Sequence, residues 1–508
     1  MSVAADAPPT RVPAARTLAV GLGVPLVAGA ASVAGFAPFY AWPVPLLALT
    51  ALFLVWRASG SALQAALSGF AFGLGYFLAG VSWVYVSLHV FGSMPVALAA
   101  LSTFLFCAYL ALFPAAAGWA VARFTPAGTG ARLVLAAAAV VGFEWLRGWL
   151  FTGFPWLNLG TSQVPGSPLA GYAPYLGAYG VSLAAAGASA LLAALLSSRG
   201  RARWTASLGA AALFVAGGLG LLVPWTTPAG PSVTIGLLQG NVAQEIKWRP
   251  DVRAKTLAGY HRMITETDAR IVIIPETALP AFLDELPKDY VASLVEHGRE
   301  KGKEILLGTV ERDHHGDGFR YYNSVVRLTA GKMPSYRKRH LVPFGEFIPP
   351  GFRFVLAVLK IPMSDFSAGD DSQPPLVAAG IPFGVAICYE DIFGEEVIDF
   401  LPRAQILLNV SNDAWFGRSF AADQHMQASQ MRALETGRWM VRSTNTGASA
   451  AIDERGRVVS RLPAFTAGAL VEKVTPRKGA TPYSRWGNGP ALLLAAALAI
   501  LGVRRRRL

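Results

Sequence analysis

Cys388, Glu276 and Lys338 could together move an acyl group through a thiol. Cys388 closes the apolar run in IPFGVAICYEDIFGEE, and Tyr389, Glu390 and Asp391 follow at once, where the chain leaves the run. A cysteine at a strand end is often a small buried hydrophobe. A nucleophilic cysteine needs exposure at a turn, a base to take its proton and a nearby cation to favour the thiolate. The polar turn after Cys388 suits the nucleophile better than the inert residue. Glu276, between Pro275 and Pro280 in RIVIIPETALP, is the candidate base. Partial burial would raise its pKa and suit it to proton transfer. Lys338, in SYRKRHLVPFGEFIPP, is the candidate cation. Its ammonium would stabilise the oxyanion of a tetrahedral intermediate, with the Tyr389 N–H as second donor and Glu346 positioning the lysine. Taken alone, YRKRH is also a generic basic cluster.

The segments PETALP, YRKRHLVPFGEFIP and GVAICYEDIF lie in that order, with Glu276, Lys338 and Cys388 separated by 62 and 50 residues. They resemble the Glu-Lys-Cys triad segments of the nitrilase/carbon–nitrogen hydrolase superfamily. NVSNDAWFG, which carries Asn412 and Trp415, and the helix predicted after it are similar too. The resemblance implies an α-β-β-α sandwich. One branch of that superfamily, the apolipoprotein N-acyltransferases, adds several N-terminal membrane helices and one C-terminal helix. The chain is similar to that branch over nearly its whole length, including EWLRGWLFTGFPW and GNVAQEIKW. The resemblance implies the triad roles above and importance for Trp248, Glu346, Tyr389 and Glu390. It implies a phospholipid as acyl donor, a diacylglyceryl-modified lipoprotein as acceptor, and no metal, nucleotide or redox cofactor. Trp248, Trp415, Glu144 and Arg147 are the substrate-binding candidates. A membrane-tethered amidase would use the same triad and is the alternative.

The elements that must position these groups lie in the charged part of the chain. Candidate strands are 233–239, 271–275, 304–310, 322–329, 384–388, 405–410, 439–443 and 448–453, with helices at 251–268, 287–302, 392–401 and 420–437. Apolar strand runs between helices imply buried strands with helices over them, an α/β class. Glu276, Cys388 and Asn412 then fall at carboxyl ends of strands, where open α/β sheets bind ligands.

The rest of the chain is apolar. Hydrophobic residues are 53% and charged residues 15% of the 508, against about 25% charged in a soluble domain. Apolar runs at 17–34, 39–57, 62–80, 95–121, 132–150, 174–197, 206–224 and 491–503 predict seven N-terminal spans and one C-terminal span. Three parts follow: 1–226 a helical membrane domain, 227–485 a nitrilase-like catalytic domain, and 486–508 a last helix with an arginine-rich tail. Residues before 225 and after 488 hold 13 Lys+Arg and 2 Asp+Glu, so most of the net +13 flanks apolar segments. That distribution fits the positive-inside effect and excludes a nucleic-acid partner. Arg11, Arg16, Arg57, Arg123, Arg132, Arg199, Arg201, Arg203 and the arginines at 504–507 all fall on one side. This predicts cytoplasmic termini in a bacterial inner membrane and an extracytoplasmic catalytic domain. A cleaved signal peptide within 1–30 is an alternative that leaves the sidedness unchanged. Glu144 and Arg147, spaced i,i+3, read either as a structural pair or as a lipid-headgroup contact. The apolar stretch 352–361 reads either as a buried helix or as an arm that dips into lipid. Two scattered cysteines exclude a disulfide framework. Nothing in the sequence requires more than a monomer.

Overall fold

The computed structural model describes residues 14–316, 318–349, 351 and 365–504. The stretch 352–361, Arg11 and the arginines at 505–507 lie outside them. Each apolar run forms a helix: Ala14–Ser32, Pro43–Ala58, Ala62–Val81, Val96–Phe124, Gly130–Arg147, Ala173–Ser197, Gly200–Gly220 and Gly489–Arg504. The sequence predicts eight spans; among the described residues, three helices are long and apolar enough to cross a membrane. They are Ala62–Val81, Val96–Phe124 and Pro168–Ser197, the last counted with the turn leading into it. The physical reason is length and charge. Pro43–Ala58 and Gly489–Arg504 have 16 residues each, about 24 Å of helix against about 30 Å of hydrocarbon. Gly130–Arg147 contains Arg132, Glu144 and Arg147.

Small residues let the helices touch. A Cβ on Gly75 would lie 2.0 Å from the Leu26 carbonyl oxygen, so only glycine permits that crossing. Large side chains on the outer surfaces of the helices, such as Leu63, Leu105, Leu196 and Leu493, are exposed.

The charged part of the chain folds into two six-stranded sheets. One has the order Gly468–Val474, Val233–Gln239, Ile271–Ile274, Glu304–His315, Gly318–Arg327, Ser335–Arg337. The other has the order Val458–Arg461, Ala450–Ile452, Trp439–Thr444, Ile406–Ser411, Ile381–Ile387, Leu376–Ala378. In each sheet three central strands are parallel and the outer ones antiparallel. Side chains alternate faces along a strand, and burial follows that alternation. Ile235, Leu237, Ile271 and Ile273 face Val385, Ile387, Ile406, Leu408 and Val441 across the gap between the sheets. Leu238, Val272 and Ile274 point the other way, under the helices Pro250–Glu266 and Lys288–Lys301. Leu407 and Met440 point outward from the second sheet, under Met426 and Ala433 of the helix Ala421–Thr436. The layers are α-β-β-α.

The helix Ala421–Thr436 is covered on both sides. Opposite the sheet, Met431 and Leu434 pack with Val164, Ala170, Ala173 and Val181 of the apolar half. Its Gln424 accepts from the Trp156 Nε1 (2.8 Å) and Trp83 Nε1 (3.2 Å) and donates to the Gly80 carbonyl (3.1 Å). Gln427 accepts from the Ala37 N–H and donates to the Val164 carbonyl, each at 2.8 Å.

Candidate active site

Glu276, Lys338 and Cys388 each sit just beyond the carboxyl end of a strand. Cys388 directly follows Ile381–Ile387, Lys338 directly follows Ser335–Arg337, and Glu276 comes two residues after Ile271–Ile274. The face-to-face packing of the sheets brings these ends to one place, and side chains then couple them. Asn323, on Gly318–Arg327, donates to Glu276 Oε1 at 2.7 Å and to Glu346 Oε1 at 2.9 Å. The second Glu276 oxygen accepts the Asn412 N–H at 2.7 Å. Lys338 Nζ lies 2.7 Å from Glu346 Oε2, which also accepts the Val342 N–H. A Cβ on Gly308 would lie 2.2 Å from the Pro275 carbonyl oxygen and 2.8 Å from the Glu276 Cα, so glycine is needed beside the carboxylate.

Glu390 joins the remaining two ends. Its Oε2 accepts the Ile387 N–H (2.6 Å), just before Cys388. Its Oε1 accepts the Arg339 and His340 N–H groups (2.7 and 3.1 Å), just after Lys338. Burial raises Glu390 to about 7 in spite of these bonds.

The electrostatics suit a thiol that is deprotonated on demand. Burial, then the Glu276 carboxylate, push the Cys388 thiol well above its ordinary value, while the Lys338 ammonium pulls it down. Burial also raises Glu276, against the pull of Lys338, which makes it a stronger base than a surface glutamate. Burial works against the charge on Lys338, but Glu346, Cys388 and Glu276 outweigh it and hold the group above its ordinary value. The site therefore has a proton acceptor, a fixed positive charge and a buried thiol on a residue of intermediate exposure.

Beneath the nucleophile lies a cluster that sequence reasoning missed. Cys388 has φ +54°, a conformation costly for a residue with a Cβ. Its carbonyl accepts from Asn409 Nδ2 at 3.0 Å and lies 3.1 Å from His425 Nε2. His425 is buried between Asp391 (2.7 Å) and Asp413 (2.9 Å), and Arg442 reaches the same two carboxylates at 2.8 and 3.3 Å. Burial opposes the charge on His425, yet chiefly Asp391 raises it to about 9. Both aspartates are held below their ordinary value, since His425 and Arg442 overcome the cost of burial. The sequence shows the histidine in a predicted helix rich in polar residues, QHMQASQMRALE, but nothing in it marks those residues as buried.

The other predicted residues fall in different places. The Tyr389 hydroxyl donates to the Gly153 carbonyl at 3.0 Å, and its ring lies nearly parallel to Trp156 at 6.5 Å. Its N–H is in the first turn of the short helix Cys388–Ile392. Trp248 is 40% exposed on the loop after Val233–Gln239. Trp415 packs edge-on against Phe91, and its carbonyl accepts from Ser87 at 2.8 Å. Glu144 and Arg147 do not reach the triad. Arg147 donates to the Phe154 and Trp156 carbonyls, each at 2.6 Å, and to Asn158 Oδ1 at 2.9 Å; Glu144 accepts the Leu159 N–H at 2.5 Å. Both are buried and also line an apolar cavity among the helices, with Tyr76, Phe77 and Phe113. These bonds shape the 148–160 loop from within the bundle. Among the described residues no group of three or more His, Cys, Asp or Glu could hold a metal ion.

A Glu-Lys-Cys constellation at the strand ends of an α-β-β-α sandwich, bonded through a helix and a loop to apolar helices, places the chain with the carbon–nitrogen hydrolases, here joined to a helical bundle. Residues 234–483 match the family model described as carbon–nitrogen hydrolase, and residues 28–191 match the one described as the apolipoprotein N-acyltransferase N-terminal domain. An apolipoprotein N-acyltransferase of Nitrosomonas europaea is 50% identical over 491 residues, 94% of this chain and 97% of the relative. Those of Methylococcus capsulatus and Ralstonia nicotianae are 48% and 42% identical, over 93% and 98% of this chain and 94% and 95% of the relatives. The chain belongs to the apolipoprotein N-acyltransferase family.

Proposed function

We propose that this enzyme transfers a fatty acyl chain from a phospholipid to the α-amine of the N-terminal diacylglyceryl-cysteine of a lipoprotein, in two steps through a thioester on Cys388. Glu276 accepts the thiol proton as sulfur attacks the ester carbonyl of the phospholipid. Lys338 and the Tyr389 N–H stabilise the oxyanion. The C–O bond breaks, and the departing lysophospholipid alkoxide takes the proton from Glu276. The lipoprotein amine then attacks the thioester and gives a proton to Glu276. The C–S bond breaks, an amide remains, and the proton returns to sulfur. Glu346 holds Lys338, Glu390 holds the two strand ends together, and Trp248 and Trp415 line the approach of substrate.

The observation that carries this reading is the gathering of Glu276, Lys338 and Cys388 beside the apolar bundle, with Asn323 linking Glu276 to Glu346, the partner of Lys338. Both substrates carry long acyl chains, each buried CH₂ worth about 0.8 kcal/mol in a bilayer. An enzyme anchored at the lipid surface spares them that loss. We read residues 1–226 as seven spans, 486–508 as the eighth, and 227–485 as the catalytic domain on the extracytoplasmic side of a bacterial inner membrane, with a monomer as working unit. Short helices at the ends of this count are accommodated by local thinning of the bilayer.

Intact mass after incubation with phospholipid tests the reading. Wild type gains one fatty-acyl mass, and Cys388→Ala gains none. Rapid hydrolysis of small amides without an acyl-enzyme would replace this function with that of a membrane-tethered amidase.

A further inference from the structure

The site holds two buried carboxylates that share one amide, and the triad lysine serves mainly one of them. Glu276 and Glu346 both accept from Asn323, while the 2.7 Å ion pair of Lys338 is with Glu346. Lys338 also acts on Glu276, so an ionised Glu276 and an ionised Glu346 share one counterion, which low-dielectric surroundings penalise. A second ammonium lies against the residue that follows Glu276. Lys247 is 1% exposed, deeper than Glu276 itself, in a chain whose lysines otherwise mostly reach water. Its Nζ donates to Thr277 Oγ1 at 3.2 Å, on the residue that follows Glu276. Thr277 has φ +43°, a strained turn that needs an external hold. The loop bearing Lys247 is tied to the same carboxylate by a second route. Asn445 Oδ1 accepts the Val242 N–H at 3.0 Å, Asn445 Nδ2 donates to Asn412 Oδ1 at 3.0 Å, Asn412 Nδ2 donates to Gln244 at 2.8 Å, and the Asn412 N–H bonds Glu276.

We propose that Lys247 is a second cation of the active site, a positioning residue that neutralises Glu276 and holds its turn through Thr277. This rests on the reading of Glu276 as the base for Cys388. Burial lowers Lys247 to about 8, with Glu276 pulling the other way, so it is mostly charged at neutral pH. The charged groups facing Glu276 are Lys338, Glu346 and Lys247, and those facing Cys388 are Glu276, Lys338 and Asp413. Removing Lys247 takes away a positive neighbour and leaves Glu346 and Lys338 in place. Glu276 must then hold its proton to higher pH.

The test is the pH profile of Cys388 alkylation by iodoacetamide, read by intact mass on the full chain in a Cys107→Ala background. Alkylation needs no acyl donor, so its outcome stands apart from the fate of the acyl-transfer reading. Lys247→Gln keeps a donor for Thr277 but no charge. Its acidic limb is expected to move up by about one pH unit, which lowers labelling about tenfold on that limb. Lys247→Arg keeps the charge and is expected to hold the limb near wild type. A Lys247→Gln profile that superimposes on wild type, at equal melting temperature, overturns the proposal and makes Lys247 a strut of the loop. Should Lys247→Gln fail to fold, the charge-balanced pair Lys247→Gln/Glu346→Gln carries the same decision. A limb within a few tenths of a unit of wild type supports the proposal, and one displaced downward by a full unit, the shift that loss of Glu346 alone would give, overturns it.

Discussion

At the scale of residues, the charges of the site work as neighbours rather than singly. Lys338 is buried with Glu346 and faces both Glu276 and Cys388. Lys338→Met is expected to slow single-turnover acylation of Cys388 by at least about 10²-fold, the loss typical of one oxyanion donor. The effect exceeds that figure if the two orphaned carboxylates also take up protons. His425 makes a different prediction. Its folded pKa is raised from 6.5 to about 9, so its stabilisation is complete below about 6.5 and is lost as pH climbs through about 9. The difference in melting temperature between wild type and His425→Gln should therefore narrow over that window; a constant difference would mean that His425 is neutral in the folded protein. Glu276 and Cys388 were legible as candidates because each follows an apolar run and is followed by turn or polar residues, whereas Lys338 stood out only by its motif. His425, Asp413 and Lys247 were not legible, because their meaning comes from burial, and a polar residue in a helix or loop usually faces water.

At the scale of elements, the strands that sequence reading found are the ones buried on both faces. Val233–Gln239, Ile271–Ile274 and Ile406–Ser411 are near-continuous Val/Ile/Leu runs, as central parallel strands tend to be. The edges escaped notice. Ser335–Arg337 and Leu376–Ala378 are three residues long, and Gly468–Val474 alternates half-buried with exposed positions. One of these silent edges carries Lys338, so the lysine was found by its motif and not by its strand. The helix Ala421–Thr436 was placed within a residue of its ends, but its polar residues gave no hint that both faces are covered. Gln424 satisfies the buried Trp156 indole N–H and shares that of Trp83 with the Gly80 carbonyl, so Trp156 is the donor it alone pairs. Gln424→Leu should cost about 1–3 kcal/mol for the donor left unpaired, visible as a lower melting temperature of the full chain in detergent. An unchanged melting temperature would show that water replaces the amide.

At the scale of the whole molecule, the boundary near residue 227 divides the chain by composition but not by packing. Tyr389, Ile392, Phe393 and Ala421 share a core with Phe36, Phe77, Trp83 and Trp156. A fragment of residues 227–485 should therefore expose that aromatic face and aggregate, whereas the full chain elutes as one species on size exclusion. A monodisperse, soluble fragment would contradict this. Charge asymmetry and run lengths were enough to foresee the two halves. They could not foresee the shared core, because contacts between distant segments leave no periodic trace.

The helix Ala421–Thr436 has sheet on one side and bundle on the other. Its His425 lies 3.1 Å from the Cys388 carbonyl, so a lean of the bundle against this helix is expected to reach the sulfur. Lipids of different chain length will therefore alter turnover by raising or lowering the ester relative to the thiol, while every bond inside the pocket stays as it is.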